Sequence, residues 1–68
     1  MNTAAKLTRE EAADLYISIL NANDYTQDRE NLLKWGMGSN LKAWAEREIA
    51  ETPAPIAAAI KSQILPRV

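Results

Sequence analysis

The chain has 68 residues, with eight basic and nine acidic side chains, a net charge of −1, and neither cysteine nor histidine. That composition excludes disulfides, zinc fingers, iron–sulfur sites and haem held by Cys or His. A chain this short buries only about 60% of the surface its unfolded form exposes. With disulfides and structural metals gone from the usual reinforcements, association with another chain is the one left.

Charge is spread rather than blocked. Residues 6–51 carry six basic against nine acidic groups, and Lys61 and Arg67 bring the balance back. No run of like charge marks a nucleic-acid arm or a lipid-binding patch. No apolar run approaches the roughly 20 residues of a spanning helix. The opening MNTAAKLTREE lacks the apolar centre of a secretory signal, so a cytoplasmic location is the default expectation.

The apolar spacing is helical throughout, which predicts a single domain over 1–68 with an N-terminal tail at 1–7. The first helix starts at Thr8. In Thr8-Arg9-Glu10-Glu11 the threonine hydroxyl can accept from the amide of Glu11 while Glu11 reaches back, a capping box. The helix stops near Asn21–Asn23, where side chains favour caps and turns. Its core stripe is Ala12, Leu15, Tyr16, Ile19 and Leu20. Ala13 and Ile17 widen the apolar arc to roughly 200°, well beyond the arc of about 100° that one core-facing side needs. Either this helix is sandwiched between two others, or its Ala13–Ile17–Leu20 side meets a partner.

The second helix is expected from Tyr25 or Thr26 to Trp35, capped by Asp24 with Gln27 three residues on, although Thr26 and Asp28 compete. Glu30 and Lys34 stand in the favourable i,i+4 order. Gly36 or Gly38 supplies the positive φ that ends it. Ser39 or Asn40 then caps a third helix, Leu41 to Glu51, with Leu41, Trp44, Ala45 and Ile49 on its apolar face. Glu48 falls on that face too. A lone buried carboxylate is costly, so it must be paired, neutralised or at the rim; rim placement is the expectation, and as a contact residue it would be an ion-pair anchor.

Thr52 can cap a fourth helix with Pro53 at its first position and Pro55 still in its first turn. That helix should run to about Leu65, closed by Pro66. Ile56, Ile60 and Ile64 lie at i,i+4 spacing along it. They form a core stripe that a terminal helix over 53–65 could also lend to a second chain as an exchanged or docking arm. The fold class is therefore all-α, a small bundle of three to four short helices.

Catalysis is hard to build from these residues. Ser18, Ser39 and Ser62 have no histidine or cysteine beside them in the usual nucleophile–base arrangements. The four lysines sit in polar contexts, and "GMG" at 36–38 lacks the rest of any phosphate-cradling motif. Glu10 and Asp14 share a helix face, more commonly a solvated face than a cation site. "GSNL" at 38–41 matches a carrier domain's modified-serine segment over four residues only, with Gly38 where that family has aspartate, and an N-cap serine accounts for the same letters.

The two helices around the glycine turn could form a small helix-turn-helix-like DNA-binding protein, the alternative function. The second of them, however, presents more acidic than basic residues, and phosphate contacts need a basic face. The remaining expectation is a non-catalytic protein–protein interaction module: a small regulator, inhibitor or adaptor, or a homodimer. It would have no cofactor, metal, small-molecule substrate or membrane association. Trp44 is expected in the core. Trp35, at a helix end beside Met37, is expected as the exposed anchor, because tryptophan often dominates interface energy. The expected contact set is Ile17, Trp35, Met37, Glu48, Ile56, Ile60 and Ile64.

Overall fold

The computed structural model describes residues 6–68. All regular structure among them is helical: α1 Arg9–Ala22, α2 Arg29–Asn31 running into a π-helical turn Leu32–Gly36, α3 Leu41–Glu51, α4 Ala54–Gln63, and a closing 3₁₀ turn Leu65–Arg67. The protein is a small all-α bundle, as its apolar spacing predicts.

Both ends of α1 follow local hydrogen-bond chemistry. At the start, Thr8 Oγ1 accepts from the Glu11 amide at 3.1 Å and Glu11 Oε1 accepts from the Thr8 amide at 2.9 Å, completing the capping box. At the end, the Tyr25 amide donates to the Leu20 carbonyl at 2.9 Å and the Asp24 amide to Asn21 at 3.2 Å. This is the paired pattern of a Schellman close, with Asp24 in the left-handed position at φ 66°. Asp24 therefore ends α1 instead of capping α2. Aspartate is among the few non-glycine side chains that visit this region.

The expected tail at 1–7 is shorter in the structure. Residues 1–5 lie outside the described residues, whereas Leu7 is buried and its amide donates to the Arg67 carbonyl at 2.8 Å. The α4 end is thereby tied to the α1 start, and Lys6 Nζ adds a bond to the Val68 carbonyl at 3.2 Å.

The segment between α1 and α3 differs most from expectation. Asp28 is the cap that forms, its Oδ1 accepting from the amides of Glu30 at 2.9 Å and Asn31 at 3.4 Å. A single α-turn follows, and the chain then widens so that the Met37 amide donates to the Leu32 carbonyl five residues back, at 3.1 Å. The sequence supplies the reason. Leu32 and Met37 are both buried, yet at about 100° per residue an α-helix would aim them roughly 140° apart. A π-turn lines up residues five apart and lets both enter the core. Gly36 fits this turn closely, since a Cβ there would lie 2.9 Å from Leu32 Cδ1. Gly38, at φ 74°, then turns the chain toward α3.

Asn40 caps α3 by accepting from the Ala43 amide at 3.0 Å. Thr52 closes α3 rather than opening α4: its hydroxyl and its amide both donate to the Glu48 carbonyl, at 2.7 and 2.9 Å. Pro53 takes the cap position of α4, which runs Ala54–Gln63, and Pro66 sits inside the 3₁₀ turn instead of closing the helix.

One contiguous core joins Leu7, the α1 face, Leu32, Met37, Trp44, Ala45 and the α4 isoleucines. α4 packs against α3 and α1, and α1 also meets α2 and the π-turn. The wide stripe of α1 is thus used within one chain: Ala13 and Leu20 are buried, and Leu15 and Ile17 are partly buried against the core. Ile56, Ile60 and Ile64 are also buried here, so α4 is not held out as an arm. Burial of each isoleucine stabilises the fold by about 1.5–3 kcal/mol, which a monomer would forfeit by lending the stripe away.

Candidate protein-binding site at the Trp35 turn

Trp35 lies on the π-turn with 81% of its surface exposed, and among the described residues only Tyr25, at 50%, joins it as a large exposed hydrophobic. The turn beneath it is anchored from inside by Leu32 and Met37. It is clamped from outside by two guanidinium groups drawn from distant parts of the chain. Arg9, in the first turn of α1, donates from Nη1 to the Gly38 carbonyl and from Nη2 to the Leu33 carbonyl. Arg47, on α3, donates from Nη2 to the Gly36 carbonyl at 3.1 Å. Lys34 adds a third cation, 3.8 Å from Glu30 in an exposed ion pair. Trp35 thus projects from a turn whose Leu32, Leu33, Gly36 and Gly38 carbonyls each accept a hydrogen bond.

The other tryptophan lies at the opposite extreme. Trp44 is fully buried, its ring edge-on to Tyr16 with centroids 5.1 Å apart and planes at 73°. Its Nε1 has no hydrogen-bond partner among the described residues. The Tyr16 hydroxyl donates to Glu48 Oε1 at 2.7 Å. This resolves the conflict on the α3 face: Glu48 is partly buried and paired with a phenol, not held as an ion-pair anchor for a partner. Burial above all, then the hydrogen bond to Glu48 and the charges of Glu48 and Glu51, push the Tyr16 hydroxyl above its ordinary value of 10.0. At neutral pH it stays a proton donor and is no base.

The seven expected contact residues divide accordingly. Met37, Ile56, Ile60 and Ile64 are buried in the core of a single chain and offer no surface, a correction that follows from the π-turn for Met37 and from α4 docking for the isoleucines. Ile17 is partly covered and Glu48 is engaged internally. Trp35 stays accessible. The structure adds residues that spacing could not reveal: Arg9 reaches the Trp35 turn across 24 and 29 positions, and Arg47 across 11.

The described residues enclose no pocket, and no group of three or more acidic side chains among them is placed to hold a metal ion. No helix among them is long and apolar enough to cross a membrane. Comparison of the chain with protein-family models, with curated proteins and with solved structures returned no match.

Proposed function

We propose that this chain is a non-catalytic protein-binding module, a small regulator, inhibitor or adaptor, with Trp35 as its anchor. The partner is another protein or a second copy of the chain, and the cytoplasmic location expected from the sequence goes with this reading. One observation carries it: the largest side chain outside the core is exposed to water on a turn held by Arg9, Arg47 and the buried Leu32 and Met37. A tryptophan left 81% exposed is an unfavourable use of apolar surface in a chain that buries its other apolar stripes. Insertion into a partner's pocket recovers that surface, and the Arg9 and Arg47 clamps keep the cost of ordering the backbone on binding low. The DNA-binding alternative gains no support from α3, where Lys42 and Arg47 are exposed beside Glu46 and Glu51 and Arg47 is engaged by Gly36.

The test pairs capture with mass in solution. Immobilised wild-type chain and Trp35→Ala are exposed to the same protein mixture, and both are run in sedimentation equilibrium across concentration. The expected result is a bound protein, or a self-associated species, that wild type forms and Trp35→Ala does not, with melting unchanged between the two. Identical capture and identical mass for both chains contradict the proposal.

A further inference from the structure

Resting on the protein-binding reading above, we infer that the Trp35 site recognises an acidic segment, in which carboxylates surround an apolar pocket or groove that takes the indole. The chain is slightly acidic as a whole, yet the groups gathered around this turn are cationic. Arg9 and Arg47 are held on the carbonyls of residues 33, 36 and 38, on both sides of Trp35, and Lys34 precedes it. Glu10 and Glu46 adjoin Arg9 and Arg47 in sequence, and Glu30 pairs with Lys34 at 3.8 Å with both side chains largely exposed. Such a pair is held weakly and exchanges readily for another carboxylate.

A guanidinium has five N–H donors in a planar fork. Arg47, exposed, uses one of them on Gly36, which holds the fork on the carbonyl that follows Trp35 while leaving donors for a partner's carboxylates. Arg9 is held by two carbonyls and contributes its charge. The turn thus presents an exposed indole on a backbone held by two guanidinium groups, with Lys34 next to it in sequence. Opposite charge at an interface rim raises association rate and selects the partner, while the buried aromatic supplies affinity.

Two other polyanions carry the same sign, and the observations favour neither. Single-stranded nucleic acid is bound by successive stacking aromatics along a basic groove, whereas this turn has one indole and the described residues form no pocket. A membrane surface is engaged by a long amphipathic face, whereas the apolar faces of α1 and α4 are turned into the core.

The experiment is a set of titrations followed by isothermal calorimetry, with Trp35 emission and acrylamide protection as a second readout for the chains that keep Trp35. The probes are three short amphipathic peptides of identical apolar residues, whose polar positions are all Glu, all Gln or all Lys. An oligothymidylate and phosphatidylglycerol vesicles are titrated alongside. The Glu peptide should bind most tightly and protect Trp35, with affinity falling as salt rises. Lys34→Glu and Arg47→Gln should each weaken it by about two- to fivefold, Arg47→Lys should retain it, and Trp35→Ala should lose about thirtyfold. Lys34 makes no backbone bond, so its variant reads charge without loosening the turn.

Equal or tighter binding of the Gln or Lys peptide, lost in Trp35→Ala, overturns the acidic partner and leaves the protein-binding reading in place. Tighter binding of the oligothymidylate or the vesicles overturns it in favour of a different polyanion. Binding of the Glu peptide that survives Trp35→Ala, together with identical protein capture by both chains, overturns both this inference and the reading beneath it.

Discussion

Trp35 and Trp44 stand nine positions apart and have opposite fates. Trp44 sits mid-helix on the inward face of α3, at full burial, while Trp35 sits on a π-turn and is 81% exposed. Residue type alone does not separate them; the period of the surrounding backbone does. In α3 the inward residues Trp44, Ala45 and Ile49 recur at α-helical spacing. In the turn, Leu32 and Met37 claim the interior five residues apart, and the indole between them is left outside. The same side chain is a keystone in one setting and a surface feature in the other.

Substitution should expose this contrast in stability. Trp44→Ala is expected to cost about 3–5 kcal/mol and to unfold a domain of this size under ordinary conditions. Trp35→Ala should change stability by no more than about 0.5 kcal/mol. Thermal unfolding of both variants is the check, and equal effects would erase the distinction. Trp44→Phe should cost clearly less than Trp44→Ala, because it keeps most of the ring volume and removes an indole N–H that has no partner.

The Tyr16–Glu48 contact beside Trp44 sharpens the comparison through pH. The Tyr16 hydroxyl ionises at higher pH in the folded chain than its ordinary value of 10.0. The neutral form is thus favoured by folding, and its stabilisation is fully present below pH 10. It falls as pH rises further, because the unfolded chain releases the proton first, with a slope of up to about 1.4 kcal/mol per pH unit. Denaturant titrations at rising alkaline pH should show this slope in wild type and a shallower one in Tyr16→Phe. At neutral pH that variant should lose about 1–2 kcal/mol, since Glu48 is left partly buried without its donor.

Two left-handed residues, Asp24 and Gly38, give modest effects with opposite signs. Gly38→Ala should destabilise by about 1 kcal/mol, since its φ of 74° disfavours a Cβ even though no neighbour would touch one. Asp24→Gly, at φ 66°, should stabilise by up to about 1 kcal/mol. Urea midpoints resolve both, and a stabilising Gly38→Ala would mean that the turn is not as described.

The sequence made legible whatever follows from hydrogen bonds within four residues or from a steady α-helical period. The Thr8–Glu11 box, the span Leu41–Glu51, a cap at Ser39 or Asn40 and the burial of Trp44 are all of that kind. It misled where two local devices competed for one residue. Asp24, Asp28 and Thr52 are each good caps by type, and type alone does not say that Asp24 and Thr52 close α1 and α3 while Asp28 opens α2. The π-turn left no periodic signal, since a pair five apart looks like noise in a 3.6-residue pattern, and so Met37 was expected on the surface. The isoleucines of α4 read correctly as a stripe. Their cover by α1 and α3 of the same chain is a contact between distant segments, which local spacing does not reveal. The clamps of Arg9 and Arg47 on the Trp35 turn are long-range for the same reason.

The most direct test compares acrylamide quenching of the tryptophan emission of wild type and of Trp35→Phe at a concentration where the chain is monomeric. A readily quenched component in wild type that vanishes in Trp35→Phe, leaving only the protected emission of Trp44, is the predicted result. An accessible component that persists after Trp35 is replaced, or wild-type emission that is protected throughout, would contradict the division of labour between the two indoles.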